Sequence, residues 1–237
     1  MKSFFYSRSV YPIIGRPIPK YFLALDNWFE SQFTDPDDII QPWQAPAVHM
    51  AENLCRHLGD VEMYAMLVRD ATELPNPNHA AIMTGTYLVG YFSACKSVLD
   101  ACSVTINELY NLDLPYKVQD FTKTKFWRTL ATVDAAAESN YRSFEPTFRE
   151  VITWRDAAVH RTTPFAFPVC KGDIDTVPRS EIEIKISIEA GYSLRRVMEE
   201  RRMIDMIEPD ELHDRWAAIF HTLLQRVCED IEHRSVL

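Results

Sequence analysis

The chain has 237 residues, of which 47% are apolar and 25% are charged, and its formal net charge is −9. This composition is ordinary for a globular protein and allows a core of useful size. Because the net charge is negative, the surface as a whole is not that of a nucleic-acid-binding protein, although local regions can differ.

Neither a secretory signal nor a membrane-spanning helix is predicted. Residues 1–20 have no uninterrupted apolar segment, and no run of about 18 apolar residues occurs along the chain. The five cysteines are odd in number, widely spaced and without a CxxC pair, which favours reduced core thiols over a disulfide framework or a zinc site. We therefore expect a cytoplasmic protein that needs no membrane, metal or cofactor.

The first half of the chain predicts helices, in keeping with only six glycines. Residues 1–20 are rich in aromatic residues and proline, and predict an extended arm that lies on the body. A short helix is predicted over 21–33 and a longer one over 45–71, with Pro46 in its first turn. The clearest helical periodicity covers 79–111, where apolar residues recur over about six turns.

The second half changes its period. Helices are predicted over 121–137 and 144–161, with a break near the segment AESNYRS. The segment EIEIKISIE at 181–189 alternates strictly, which predicts a half-buried strand, and 164–170 is its edge partner because of the internal Pro168. A last helix is predicted over 208–234.

These elements predict a mainly all-α fold, an antiparallel helical bundle with one accessory β-hairpin. A lone hairpin is marginal in water, so its isoleucine face should pack on the bundle or on another subunit. We divide the chain into an arm with a short helix at 1–44 and one helical domain at 45–237. Within that domain, 78–163 is the core, 164–190 the hairpin and 208–234 the last helix.

Arg155 occupies an unusual place on the helix predicted over 144–161. On a helical wheel of about 100° per residue, it falls in the middle of an apolar, core-facing stripe. A guanidinium keeps its charge and is costly to bury alone, so a carboxylate or a bound phosphate must meet it. The stripe consists of Phe148, Val151, Ile152, Ala158 and Val159.

His160 stands at the end of the same helix, because Pro164 stops it. The negative end of the helix dipole favours a protonated imidazole there. Asp156 is four residues earlier, where it could orient the ring. A neutral histidine could deprotonate a ribose 2′-hydroxyl, and Arg155 could stabilise the charged phosphorane, with no metal required. An ordinary buried ion pair and a helix-capping histidine are the alternative.

The segment Trp154-Arg155-Asp156-Ala157-Ala158-Val159-His160 resembles the Arg-polar-x-x-x-His signature of HEPN domains. The upstream segment 87–114, with Lys96, Ser97 and Asp100, also resembles the long helix of that family. The resemblance covers residues 78–163 and implies a helical bundle from toxin–antitoxin, abortive-infection and RNA-processing proteins. It also implies a homodimer, in which the motifs of two subunits form one composite site.

On this resemblance, Arg155, His160 and Asp156 are the catalytic residues of a ribonuclease, with no metal ligand. Lys96, Asp100 and Arg161 are the substrate-binding candidates. Residues 117–161 hold eight basic and six acidic residues, so this region is more basic than the whole chain. The expected partners are a second copy of the chain, RNA, and an antitoxin or another protein.

Two other interpretations remain open. The chain could be a catalytically inactive HEPN bundle that serves as a dimerisation, protein-binding or nucleotide-binding module, with Arg155 locked to Asp100. It could also be a purely structural accessory protein of a phage or mobile element.

Overall fold

The computed structural model describes residues 10–32, 46–161, 165–187 and 206–234, without the side chains of Val10, Gln32, His160, Arg161 and Phe165. Within these ranges the chain is mainly helical with one small antiparallel sheet, which confirms the mainly all-α class with a hairpin. The elements are α1 Val10–Ile13, α2 Lys20–Gln32, α3 Pro46–Thr72, α4 Pro77–Leu109, α5 Thr124–Val133, α6 Ala135–Arg142, α7 Glu145–Asp156, a π-helical turn Ala157–Arg161, β1 Phe165–Val169, β2 Glu183–Ser187 and α8 Pro209–Arg234.

Four of the predicted helices are confirmed closely. The ranges 21–33, 45–71, 79–111 and 208–234 correspond to α2, α3, α4 and α8. In α4 and α8 the apolar residues predicted from the helical period are all buried, because one continuous stripe of each helix faces the core. The stripe of α8 consists of Leu212, Trp216, Phe220, Leu223, Val227 and Ile231.

The described residues form two compact units. Unit 1 holds the described parts of 1–60, 97–149 and 218–237, and unit 2 holds those of 61–96 and 150–217. The boundary that we predicted at residues 44 and 45 lies outside the described residues. So do residues 1–9 of the predicted arm. Its described part is not simply extended, because Val10–Ile13 is helical and residues 14–15 form a turn before α2.

The core of unit 1 is aromatic around the start of α5. The Phe121 ring stacks on Phe148 at 4.5 Å and on Trp127 at 5.3 Å between ring centroids. The Trp127 indole N–H donates to the Phe121 carbonyl at 2.7 Å. These contacts fix the loop that precedes α5, because aromatic pairs add to the energy of apolar burial.

The predicted single helix over 121–137 is wrong, because the chain breaks at Asp134. This residue is extended, with φ −152° and ψ 96°, and its carboxylate accepts the amide N–H of Ala137 at 2.9 Å. Asp134 is therefore the N-cap of α6, and an aspartate offers this alternative to a continuous helix. The segment AESNYRS, where we expected the break, lies mostly inside α6.

The hairpin belongs to unit 2. β1 and β2 pair antiparallel, which confirms the predicted hairpin, and Pro168 lies opposite Ile184. Ile184 packs against Ala80 and Ala81 at the start of α4, so the isoleucine face is covered within the same chain. The predicted strand residues Ile188 and Glu189 lie outside the described residues.

The cysteines are present as thiols, as the sequence predicts. All five cysteines are described and are free thiols, of which four are buried and Cys170 is half-buried. Burial raises the pKa of the Cys95 and Cys102 thiols, which keeps them protonated and unreactive. Among the described residues, no helix has the length and apolarity needed to span a membrane.

Candidate functional site

The last turns of α7 are anchored in unit 2 by aromatic and polar contacts. The Trp154 ring lies 5.3 Å from Phe92 and 6.5 Å from Trp216 between ring centroids. The Glu150 carboxylate accepts the indole N–H of Trp216 at 3.1 Å and also bonds the Arg215 guanidinium. Because Trp154 directly precedes Arg155, these contacts fix the backbone from which the arginine extends.

The helix changes its geometry inside the Arg155–His160 motif. α7 ends at Asp156, and residues 157–161 form a π-helical turn instead of the continuous α-helix that we predicted over 144–161. On an α-helix, positions five residues apart differ by about 140° around the axis. A π-helical turn is wider, with bonds between residues i and i+5, so each residue rotates less and the two positions move toward one face.

Arg155 already has a carboxylate partner in the structure. Its Nη1 donates to Asp156 Oδ1 at 3.0 Å. The two side chains are 31% and 48% exposed, so the ion pair lies at the edge of the core and is accessible to solvent. The expected core-facing arginine is therefore only half-buried, because the stripe around it is incompletely covered: Val159 is 42% exposed.

For the other predicted site residues, the structure shows less. The side chains of His160 and Arg161 lie outside the described residues, so the orientation of the imidazole by Asp156 stays a prediction. Lys96 is half-buried on α4 in unit 2, and Asp100 is exposed one turn later in unit 1. Among the predicted residues, the structure brings Arg155 and Asp156 together.

A buried polar cluster in unit 2 was not predicted from the sequence. The Tyr91 hydroxyl lies 3.1 Å from His213 Nδ1, and His213 Nε2 lies 3.9 Å from Glu62 Oε2. All three side chains are buried, and burial raises the pKa of the Tyr91 phenol. One sequence feature could have indicated the cluster: Glu62 is a charged residue on an apolar helical stripe, four positions after Leu58 and three before Ala65.

This cluster has little room for a substrate. The cavity beside Tyr91 and His213 measures about 10 Å³, which is close to the space of a single water molecule. Glu62, His213 and Tyr91 therefore act as buried polar contacts that link α3, α4 and α8 within unit 2.

Two larger hollows are open to solvent. One of about 300 Å³ lies between the end of α3 and the start of α8, and one of about 350 Å³ lies at the end of α4 in unit 1. Arg155 and Asp156 line neither of these two hollows. The Arg155–Asp156 pair is therefore a half-exposed charged pair on the surface of unit 2, outside both hollows.

The described residues contain no group of three His, Cys, Asp or Glu side chains placed to hold a metal ion. No family model, curated protein or solved structure matches the chain. The HEPN resemblance therefore rests on the motif residues and on the helical class.

Proposed function

We propose that the chain is a HEPN-type, metal-independent endoribonuclease that cleaves RNA by attack of a ribose 2′-hydroxyl. The observation that supports this most is the change from α-helix to π-helical turn within the Arg155–His160 motif. π-Helical turns are rare within α-helices, and those that occur are frequently at functional sites. Here the turn brings two positions with complementary chemistry toward one face.

The proposed reaction uses each motif residue for one task. The His160 imidazole takes the proton of the 2′-hydroxyl as the bond from O2′ to phosphorus forms. The bond from phosphorus to O5′ breaks, and the departing O5′ takes a proton from solvent. The Arg155 guanidinium stabilises the doubly charged phosphorane, and Asp156 holds that guanidinium in place. The products carry a 2′,3′-cyclic phosphate and a 5′-hydroxyl.

The proposed homodimer follows from the resemblance. On a continuous α-helix, Arg155 and His160 point about 140° apart, and two facing copies can bring them to one phosphate. The π-helical turn weakens that geometric argument, so the dimer depends on the family pattern alone. Light scattering at micromolar concentration tests it directly: we expect a dimer, and a monomer would remove the composite site.

The cleavage test compares motif variants with matched controls. We expect purified protein to cut single-stranded RNA in the presence of EDTA, and Arg155→Ala or His160→Ala to slow cleavage by about a hundredfold or more. Arg149→Ala on the same helix and His79→Ala on the surface of α4 remove exposed residues of the same types and should cut normally. Uncut RNA in the presence of folded, dimeric protein would exclude the nuclease.

A binding module is the second candidate. It is favoured by the Arg155–Asp156 ion pair, which gives the guanidinium a partner in the absence of any phosphate. On this alternative the protein binds a nucleotide, RNA or a protein without cutting, and Arg155→Ala changes affinity only. A role in a toxin–antitoxin or anti-phage system, with an antitoxin as the protein partner, is part of the nuclease proposal.

A further inference from the structure

An exposed tyrosine stands among basic side chains on unit 1, outside the motif. Tyr116 lies in a short 3-10 turn and is 84% exposed. Lys117 follows it, and further basic residues precede and enter α5. We call the set of Tyr116, Lys117, Lys123, Lys125 and Arg128 the basic-aromatic surface; all five side chains are exposed.

The charge of this surface is opposite to that of the chain. Residues 116–128 contain four basic residues and one acidic residue, Asp120, whereas the whole chain has a net charge of −9. The Asp120 carboxylate accepts the amide N–H of Thr122 at 2.7 Å. Within the described part of the chain, no ion pair engages the four basic side chains. Their charge is therefore available to an anionic partner.

The backbone beneath the surface is held on both sides. The Gln119 amide donates to the Leu114 carbonyl at 2.6 Å, which closes the loop that carries Tyr116. The Ser103 hydroxyl donates to the Gln119 carbonyl at 2.8 Å and ties the loop to α4. A loop that is already ordered loses less entropy when a ligand binds.

The helix α5 aligns its two basic residues. Phe126, Trp127 and Leu130 are buried on one side. Lys125 and Arg128 are three positions apart and face away from these residues at about 100° per residue. They form a short basic stripe that starts directly after Lys123.

The neighbouring hollow limits where phosphates can lie. Leu114 and Gln119, which close the Tyr116 loop, also line the hollow of about 350 Å³ at the end of α4. Glu108 and Asp113 line it as well, and their carboxylates repel phosphate. A phosphate beside Tyr116 would therefore be favoured on the α5 side, where the lysines and Arg128 lie.

We propose that the basic-aromatic surface binds single-stranded RNA, with a base stacked on Tyr116 and phosphates on the lysines and Arg128. An aromatic ring beside a basic stripe suits a single strand, because every base has a face to stack and the backbone supplies the charge. This inference rests on the proposed function for the nature of the ligand and assigns an RNA-binding surface to unit 1. A folded acidic protein would use the charge but not the exposed ring.

The experiment measures binding apart from cleavage. All proteins carry His160→Ala so that the RNA stays intact, and fluorescence anisotropy follows a labelled oligouridine of about 12 nucleotides. We expect Tyr116→Ala to raise Kd about tenfold and Tyr116→Phe, which keeps the ring, to change it less than about twofold. Lys125→Glu should raise Kd and lower the salt slope of log Kd by about 0.7, the value for one phosphate on a single strand.

The matched control is Lys171→Glu, the same charge change on an exposed loop residue of unit 2, which should leave Kd unchanged. Circular dichroism checks that each variant folds. Unchanged binding by Tyr116→Ala and Lys125→Glu would overturn the inference. So would equal affinity for polyglutamate and oligouridine, which would indicate an acidic protein partner.

The same variants separate this inference from the proposed function. If RNA binds through the surface but the protein with an intact His160 does not cut, the nuclease proposal fails and the surface stands. If the protein cuts RNA and the Tyr116 and Lys125 variants bind and cut like the parent, the surface fails and the nuclease stands.

Discussion

If Arg155 binds a phosphate of RNA as proposed, Asp156, its ion-pair partner, competes with that phosphate, and Asp156→Asn tests the competition. The change removes the negative charge but keeps an oxygen that can accept the guanidinium N–H. Two unit charges about 4 Å apart attract by about 1 kcal/mol in water and about 4 kcal/mol at an effective dielectric constant of 20. The Arg155–Asp156 side chains are 31% and 48% exposed, so the value lies toward the lower limit.

Measured exposed ion pairs are worth about 0.2–1 kcal/mol, which corresponds to an affinity change of up to about fivefold. We therefore expect Asp156→Asn, in the His160→Ala protein, to bind single-stranded RNA about 1.4- to fivefold more tightly. The gain should shrink as salt screens the charges. The assay is the same anisotropy titration, and Asp175→Asn on an exposed loop supplies the same charge change.

Asp156→Ala removes the charge and the hydrogen-bond acceptor together. If Asp156 also positions the guanidinium, this variant should gain less affinity than Asp156→Asn. Weaker RNA binding by Asp156→Asn than by the parent protein would refute the competition, and it would indicate that the carboxylate itself contacts the ligand.

Three further changes test the fold. Tyr141→Phe removes one of the hydroxyls that donate to Asp230 Oδ2, at 2.5 Å, and should lower the free energy of unfolding by about 1.5–3 kcal/mol because the acceptor is charged. Asp134→Ala removes the N-cap of α6 and should cost about 1 kcal/mol. Burial and the charge of Arg16 lower the pKa of His221, so the unfolded chain takes up a proton that the folded chain resists. Stability should therefore fall as the pH drops below about 6.5, and His221→Gln should flatten that dependence.

Urea unfolding measures all three. Tyr116→Phe, on an exposed tyrosine, is the control for the buried Tyr141 and should leave the midpoint unchanged. A loss below about 0.5 kcal/mol in Tyr141→Phe would show that Asp230 gains little from that hydroxyl. An unchanged free energy of unfolding in Asp134→Ala would contradict the second prediction. A pH dependence of stability that His221→Gln does not alter would contradict the third.

The long helices and the hairpin could be predicted because each repeats one pattern. In α4, apolar residues recur at helical spacing and every predicted core residue is buried, since one stripe faces the core along its whole length. In β2 the alternation places Ile184 and Ile186 inside. Where apolar residues repeat with a single period, burial of that one face is enough to determine the type of element.

The helix break and the π-helical turn were not predicted, because one aspartate among helix-forming residues is a weak sign of an N-cap and the π-helical turn leaves no sign in the composition. Ala135 and Ala136 favour a helix, and at the break the Asp134 carboxylate accepts the amide N–H of Ala137, a contact that composition does not reveal. The π-helical turn at 157–161 differs from an α-helix by one hydrogen-bond register, and its sequence reads as ordinary helix.

The candidate site was predicted in part. The wheel showed that Arg155 needs an anionic partner, and the structure supplies Asp156, the next residue along. On a wheel, neighbours are about 100° apart, but a long arginine side chain can reach back to the adjacent carboxylate. The Glu62–His213–Tyr91 cluster was missed because it joins three segments far apart in the sequence.

The central claim is that Arg155 and His160 cleave RNA without a metal, and the ends of the cut RNA test it most directly. Single-stranded RNA is incubated with the protein in EDTA, and mass spectrometry identifies the termini. The account predicts 2′,3′-cyclic phosphate and 5′-hydroxyl ends that disappear with Arg155→Ala or His160→Ala. Cut RNA with 3′-hydroxyl and 5′-phosphate ends, or identical products from the two variants, would contradict it.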